Sequence, residues 1–195
     1  MEKIGLLFGS FNPIHIGHIE IAKTFLAKTD LNKIWFIVTP KNPFKSNQIL
    51  MNSKLRLDLV KIALKKYKNF SISDIEFKMK SPYYTINTLN QFKKTYPLKS
   101  FHLLIGEDNL INFKKWKNYE DILKFYKIYV YPRKVNDETK NNLIKHPSLT
   151  KISSPKNNMS STILRRALLN GESIEKMVPP EIVKYINEIK SIKSG

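Results

Sequence analysis

Cysteine is absent from the 195 residues. Disulfides, thiolate zinc sites, iron–sulfur clusters and a Cys nucleophile are therefore excluded. No apolar run approaches the roughly 18 residues of a membrane span. The first such run, Ile4 to Phe8, is too short for the core of a signal peptide. A cytoplasmic protein without membrane contact is the expectation. Glycine is also sparse. The six residues Gly5, Gly9, Gly17, Gly106, Gly171 and Gly195 form neither G-x-G-x-x-G nor G-x-x-x-x-G-K-[ST], so a dinucleotide fingerprint and a Walker A loop are excluded. A G-x-S-x-G nucleophile elbow is missing as well. Acidic residues number 16 against 34 basic ones, a formal charge of +18. Only four of those bases are Arg (Arg56, Arg133, Arg165, Arg166); the rest are Lys, spread along the chain. Lys, Asn and Ile, all abundant, share A/T-rich codons. The charge is read as genome composition and solvated faces, with no specific nucleic-acid partner, while a benefit for anionic substrates stays open.

What remains is ordinary globular usage, 42% hydrophobic and 26% charged, and enough chain for one domain over residues 1–195. Short apolar runs alternate with helical patterns. Strands are predicted at Ile4–Phe8, Ile34–Val38, Phe70–Ile75, Phe101–Ile105 and Ile128–Tyr131. Between them fall helices at Ile19–Leu26, from an N-cap at Ser53 to about Tyr67, at Tyr84–Phe92 and at Tyr119–Phe125. Residues 134–147 read as a polar excursion, and Ser160–Leu169 and Pro180–Ile189 as an α-rich C-terminus. This alternation implies an α/β, mostly parallel sheet covered on both faces. A ligand then belongs beyond the C-terminal strand ends, at the point where strand order reverses.

The segment after the first strand, Gly9-Ser10-Phe11-Asn12-Pro13-Ile14-His15-Ile16-Gly17-His18, carries chemistry. His15 and His18 are two of only four histidines in the chain. Three residues apart at a helix start, they face the same way. Gly17 between them leaves room for an anion, and helix N-terminal amides point there. Two imidazoles at that position suit charge that develops during phosphoryl-group transfer. A capping turn with incidental histidines is the plain alternative, and a zinc pair is another, weakened by the absence of Cys partners.

Gly9 to His18 closely resembles the HxGH signature of the nucleotidyltransferase superfamily. Within it, the chain resembles the bacterial nicotinate mononucleotide adenylyltransferases. Thr39 to Lys45 resembles that family's proline-bracketed loop ending in Lys, and Arg56 opens a helix as in the family. Ser81-Pro82-Tyr83-Tyr84-Thr85 resembles its Ser-Tyr-Thr segment. Leu104 to Asp108 resembles its GxD strand end, followed by Trp116, and Arg133 closes the fifth strand. Met159 to Arg165 resembles its ISSTxxR motif, with Met in place of Ile. The matches run from Lys3 to about Arg166. Read physically, Ser160, Ser161 and Thr162 are cap and first-turn residues of a helix with Arg165 beside them, a second anion-holding N-terminus. A fork in a Lys-rich chain favours bidentate recognition.

The resemblance implies a Rossmann-like, doubly wound sheet of five to six strands. It also implies transfer of the adenylyl group of ATP to nicotinate mononucleotide, giving deamido-NAD and pyrophosphate, with Mg²⁺ riding on ATP. His18 would meet the α-phosphate and His15 the phosphates near the leaving group. Gly9, Ser10 and Phe11 would bind ATP. Lys45, Arg165, Ser161 and Thr162 would hold its β- and γ-phosphates, and Gly106 and Asp108 its ribose. Thr85, Trp116 and Arg133 would take the mononucleotide, Trp116 by stacking. No protein metal site is implied, and a homo-oligomer is left open. The same His15–His18 string occurs in class I aminoacyl-tRNA synthetases, but a Lys-Met-Ser-Lys-Ser segment is missing. A pantetheine-phosphate adenylyltransferase and a non-catalytic nucleic-acid binder are the remaining rivals; the last leaves both signatures unexplained.

Overall fold

The computed structural model describes residues 1–43, 51–133, 142–155 and 159–194. In chain order the strands and helices are β1 (Glu2–Gly9), α1 (Ile16–Lys28), β2 (Lys33–Val38), α2 (Ser53–Leu64), β3 (Phe70–Ser73), α3 (Thr85–Thr95), β4 (Lys99–Gly106), α4 (Glu107–Ile111), α5 (Tyr119–Phe125), β5 (Lys127–Tyr131), β6 (Leu149–Lys151), α6 (Ser161–Leu169) and α7 (Pro180–Ser194). The six strands lie in the order β3-β2-β1-β4-β5-β6, and every pairing is parallel. This is the expected Rossmann-like α/β fold.

Side chains alternate across the strands, and each set meets its own helical layer. Phe36, Val38, Leu104 and Tyr129 join Phe25, Leu59, Val60, Ala63 and Leu164 in one core. Ile4, Leu6, Ile37, Leu103, Ile105 and Val130 join Leu89, Phe92 and Ile122 in the other. With both faces covered, the strands read as near-continuous apolar runs. Gly5 is the exception by necessity: a Cβ there would lie 2.8 Å from Ile34, Leu104 and Leu31 side chains.

Several boundaries differ from the sequence reading, each for a local reason. The cap of α2 is Asn52, not Ser53: its Oδ1 accepts from the N–H groups of Lys54 and Leu55 at 2.9 and 3.4 Å. That helix ends at Leu64 rather than near Tyr67. β3 stops at Ser73, whose Oγ accepts from Ile75 N–H at 3.3 Å and turns the chain into a 3-10 segment, Ile75–Lys78. β6 went unread because it is three residues long with Thr150 and Lys151 exposed, an edge strand without a hydrophobic run. Of the polar excursion, residues 134–141 lie outside the described residues, and Asn142–Lys145 is a 3-10 turn.

Strand order reverses between β1 and β4, and the connections leaving their C-terminal ends diverge to opposite faces. The crevice so formed is where an open α/β sheet binds its ligand. Gly9, Thr39, Gly106 and Tyr131 stand along it.

Candidate active site

A cleft of about 590 Å³ opens beyond these strand ends. His15 and His18, Gly106 and Asp108, Thr85 and Trp116, Arg133, and Ser161, Thr162 and Arg165 all line it, as do Gly9 and Ser10. Segments as far apart in the chain as Gly9 and Arg165 thus converge, as the order of motifs anticipates. Lys45 lies outside the described residues.

His15 is the N-cap of α1 and His18 its third residue. Their rings stack at 3.8 Å between centroids, 32° from parallel. The backbone N–H of His15 donates to Nδ1 of His18 at 3.3 Å, which leaves the His18 proton on Nε2. His15 is 1% exposed, and its Nδ1 has no hydrogen-bond partner among the described residues. Burial, reinforced by the charge of Arg133, pushes its pKa down to about 4, so the ring is neutral near pH 7. An arriving phosphate would supply both the missing partner and the compensating charge.

The glycine between the histidines has a different use from the one expected. A Cβ on Gly17 would sit 2.9 Å from Cβ of Met159 and 3.0 Å from the His15 ring. The space is already filled by protein. Gly17 therefore sets the position of His15 and the entry to α6, rather than opening a path for an anion.

The side chain of Phe11 belongs to the core. It is 2% exposed, and its ring packs on Phe36 at 5.6 Å and edge-on to His18 at 5.0 Å. Its φ of 42° is a strained, left-handed value for a non-glycine residue, retained because the ring is wedged in the core. A Cβ on Gly9 would meet that ring at 2.8 Å. Phe11 thus braces His18 and Gly9 from behind; only its backbone is left to meet a nucleotide.

The α6 entry is tied to this loop. Ser160 caps α6, its Oγ accepting from Ile163 N–H. Ser161 Oγ donates to the Pro13 carbonyl at 3.2 Å. Arg165 donates from Nη1 to the Asn12 carbonyl at 3.0 Å and from Nη2 to Thr162 Oγ1 at 3.1 Å. The Ser161 hydroxyl is therefore structural, and the α6 amides and the guanidinium are what face the cleft. Across it, a Cβ on Gly106 would run into Oδ1 of Asp108; Asp108 in turn lies 3.8 Å from Nε of Arg133.

At the far end, Thr85 opens α3, and half-buried Trp116 packs on Phe113 at 5.0 Å. Lys117 Nζ stands 4.8 Å over the Tyr84 ring. The fork-shaped Arg56, unassigned by sequence beyond its helix start, is 0% exposed. It donates to the carbonyls of Met51, Ser10, Thr39 and Pro40, fixing the loops after β1 and β2. Its being one of four arginines in a lysine-rich chain was the available signal. Glu76, also in the cleft wall, carried none.

A metal cage is a poor match to this donor set. Among the described residues no three His, Asp or Glu side chains gather to hold an ion, and His102 pairs in register with Gly5 within the sheet. Nitrogen donors and helix amides suit phosphate oxygens instead. Also among the described residues, no helix is long and apolar enough to cross a membrane.

The cytidylyltransferase-like family model matches residues 6–167. The probable nicotinate-nucleotide adenylyltransferase of Flavobacterium psychrophilum is 45% identical over 185 residues, spanning 95% of this chain and 96% of its own. Its counterpart in Bacteroides fragilis is 42% identical over 194 residues, spanning 99% and 96%. Among solved structures, the Plasmodium falciparum nicotinic acid mononucleotide adenylyltransferase complexed with NaAD superposes with a TM-score of 0.80 at 19% identity, covering 97% of this chain and 96% of that one. A likeness of that kind carries the fold, whereas full-length identity above 40% carries the family. The chain belongs to the cytidylyltransferase-like family and, within it, to the nicotinate-nucleotide adenylyltransferases.

Proposed function

We propose that residues 1–195 form one catalytic unit that transfers the adenylyl group of ATP to nicotinate mononucleotide, giving deamido-NAD and pyrophosphate. The observation that carries this reading is the meeting of the stacked His15–His18 pair with the α6 entry and Arg165 at one end of a cleft whose other end is walled by Thr85 and Trp116. That layout has room for a triphosphate beside a second, flat-ringed nucleotide.

The mononucleotide phosphate is already ionised, so neither a general base nor a covalent intermediate is required. One of its oxygens attacks the α-phosphorus, and the bond to the β-phosphate oxygen breaks in line, releasing pyrophosphate. Positioning and electrostatics then supply the rate. His18 donates from Nε2 to the α-phosphate as charge shifts through it. His15 meets the departing phosphates, and its proton uptake is favoured by their charge. The α6 amides and Arg165 hold the β- and γ-phosphates. Gly106 and Asp108 receive the adenosine ribose, Gly9 and Ser10 pass close to the nucleotide backbone, and Arg133 lies between the two substrates. Part of the charge on the ATP phosphates would be neutralised by a Mg²⁺ ion bound with the nucleotide.

The test is incubation of purified protein with Mg-ATP and nicotinate mononucleotide, nicotinamide mononucleotide or phosphopantetheine, with pyrophosphate and product measured by chromatography. Deamido-NAD as the favoured product is expected. Pyrophosphate release with phosphopantetheine alone, or with none of the three, would overturn the reading.

A further inference from the structure

Glu76 is the one acidic side chain of its 3-10 turn that points inward. Its neighbours, half-buried Asp74 and exposed Lys78, pair with each other at 3.4 Å, whereas Glu76 is 1% exposed. Its Oε1 accepts a hydrogen bond from Thr88 Oγ1 at 2.7 Å, and Thr88 is fully buried in α3. Its Oε2 has no hydrogen-bond partner among the described residues. The carboxyl belongs to the wall of the same cleft as Tyr84, Thr85 and Trp116. A buried carboxyl with one satisfied oxygen, set in a binding-cleft wall, is costly unless it does something there.

Two consequences follow from this placement. Thr88 sits one helical turn beyond the start of α3, its N–H donating to the Tyr84 carbonyl at 3.3 Å. Glu76 thus holds the first turn of α3 from behind, the turn that Thr85 opens in the cleft wall. The second is electrostatic. Burial, partly offset by the hydroxyls of Thr88 and Thr39, pushes the Glu76 pKa up to about 7. Those hydroxyls, from α3 and the end of β2, are the groups that face it. The charged and imidazole groups sharing the cleft are His15 and His18 at α1, Asp108 on α4, Lys115 and Lys117 after it, Arg133 after β5 and Arg165 on α6.

We propose that Glu76 sets the charge preference of the acceptor pocket: it fixes the α3 turn through Thr88, and when ionised it opposes an acceptor that carries a carboxylate. The proposal rests on the adenylyl-transfer reading above and adds a positioning residue to it. The protein would prefer the acid mononucleotide most strongly below neutral pH and lose part of that preference above it.

The experiment uses steady-state kinetics on wild type, Glu76→Gln and Glu76→Ala, with Mg-ATP and either nicotinate or nicotinamide mononucleotide, across about pH 6 to 8.5. The read quantity is the ratio of the two mononucleotide KM values. Titration of the phosphate that both substrates share affects them alike and cancels in it. For a group titrating near neutrality the ionised share rises from about a tenth to nearly all over that range. The KM ratio of acid to amide should rise by about threefold or more in wild type and stay flat in Glu76→Gln, which keeps an acceptor for Thr88 but cannot ionise. Glu76→Ala should raise both mononucleotide KM values at every pH, with the ATP KM within about twofold. If Glu76→Ala does not fold, the Gln variant decides alone. A wild-type enzyme that makes deamido-NAD while its KM ratio is flat, or while Glu76→Gln keeps the same slope, overturns the proposal and leaves the reaction standing. Wild type inactive on both mononucleotides overturns the reaction itself.

Discussion

The backbone N–H of His15 and Nδ1 of His18 share a hydrogen bond of 3.3 Å, so the first histidine fixes the tautomer of the second. His18 thereby presents one defined donor, Nε2–H, toward the cleft before any substrate is bound. His15, buried and neutral, carries an Nδ1 with no hydrogen-bond partner among the described residues. The two histidines differ in kind despite identical chemistry, and the difference comes from where the helix begins.

His18→Ala should therefore lower kcat by roughly a hundred- to a thousand-fold, the usual effect of losing one donor aimed at transition-state charge, while the ATP dissociation constant shifts by a few-fold. Single-turnover kinetics beside equilibrium nucleotide binding separates the two. Near wild-type turnover in the folded variant would remove His18 from its assigned role.

Trp116 is half-buried against Phe113 and keeps a face for the cleft. Trp116→Ala should raise the KM for nicotinate mononucleotide by about tenfold or more, in the range of an aromatic stacking contact, and leave that for ATP within a few-fold. Should the ATP constant rise instead, the acceptor pocket is on the wrong side of the switch point.

Arg56 is a buried cation with carbonyl partners from three loop segments. Arg56→Ala leaves those carbonyls unpaired and should lower the unfolding free energy by about 3–5 kcal/mol, the scale of breaking a buried charged network. Arg56→Lys should recover only part, because a point charge cannot reproduce the fork. Urea denaturation of the three proteins gives the comparison; full recovery by Lys would show that charge alone matters.

Stability should also fall in acid through His15. Its folded pKa of about 4 lies below the ordinary 6.5, so the unfolded chain takes up the proton first. The contribution is complete above about pH 6.5 and is lost as pH falls toward 4, by about 3 kcal/mol in total. The difference in unfolding free energy between wild type and His15→Asn, followed across that window, isolates it from His102, whose pKa burial also lowers. A pH-independent difference would mean that the ring is solvated or charged in the native state.

Legibility in the sequence tracked the kind of force involved. Strands buried on both faces announce themselves as apolar runs, and β1, β2, β4 and β5 were readable to within two residues at each end. Motifs whose chemistry depends on local spacing, such as His15 with His18 or Thr162 with Arg165, were readable too. What escaped was long-range and polar. Arg56 reaching the Ser10 carbonyl, or Glu76 meeting Thr88, depends on how separate elements dock, and a single polar letter carries no record of its future neighbour. Gly17 was visible as a member of a motif but misread in use, since the sequence does not tell whether a gap is filled by ligand or by Met159.

The stitching of the histidine loop to α6 has a bearing on how the protein comes into being. Pro13 is held by Ser161 across 148 positions and Asn12 by Arg165 across 153, while the Ile16 amide is taken by the Met177 carbonyl at 2.9 Å. During synthesis the first strand and its histidines leave the ribosome long before their partners exist. The nascent amino-terminal half can pair β1 with β2, but its phosphate end has no far wall until the last fifth of the chain has emerged. Contacts of such high sequence separation form late and slowly. Adenylyl transfer would then be switched on by the final docking event, and its onset during refolding would time the closure of the chain's two ends upon each other.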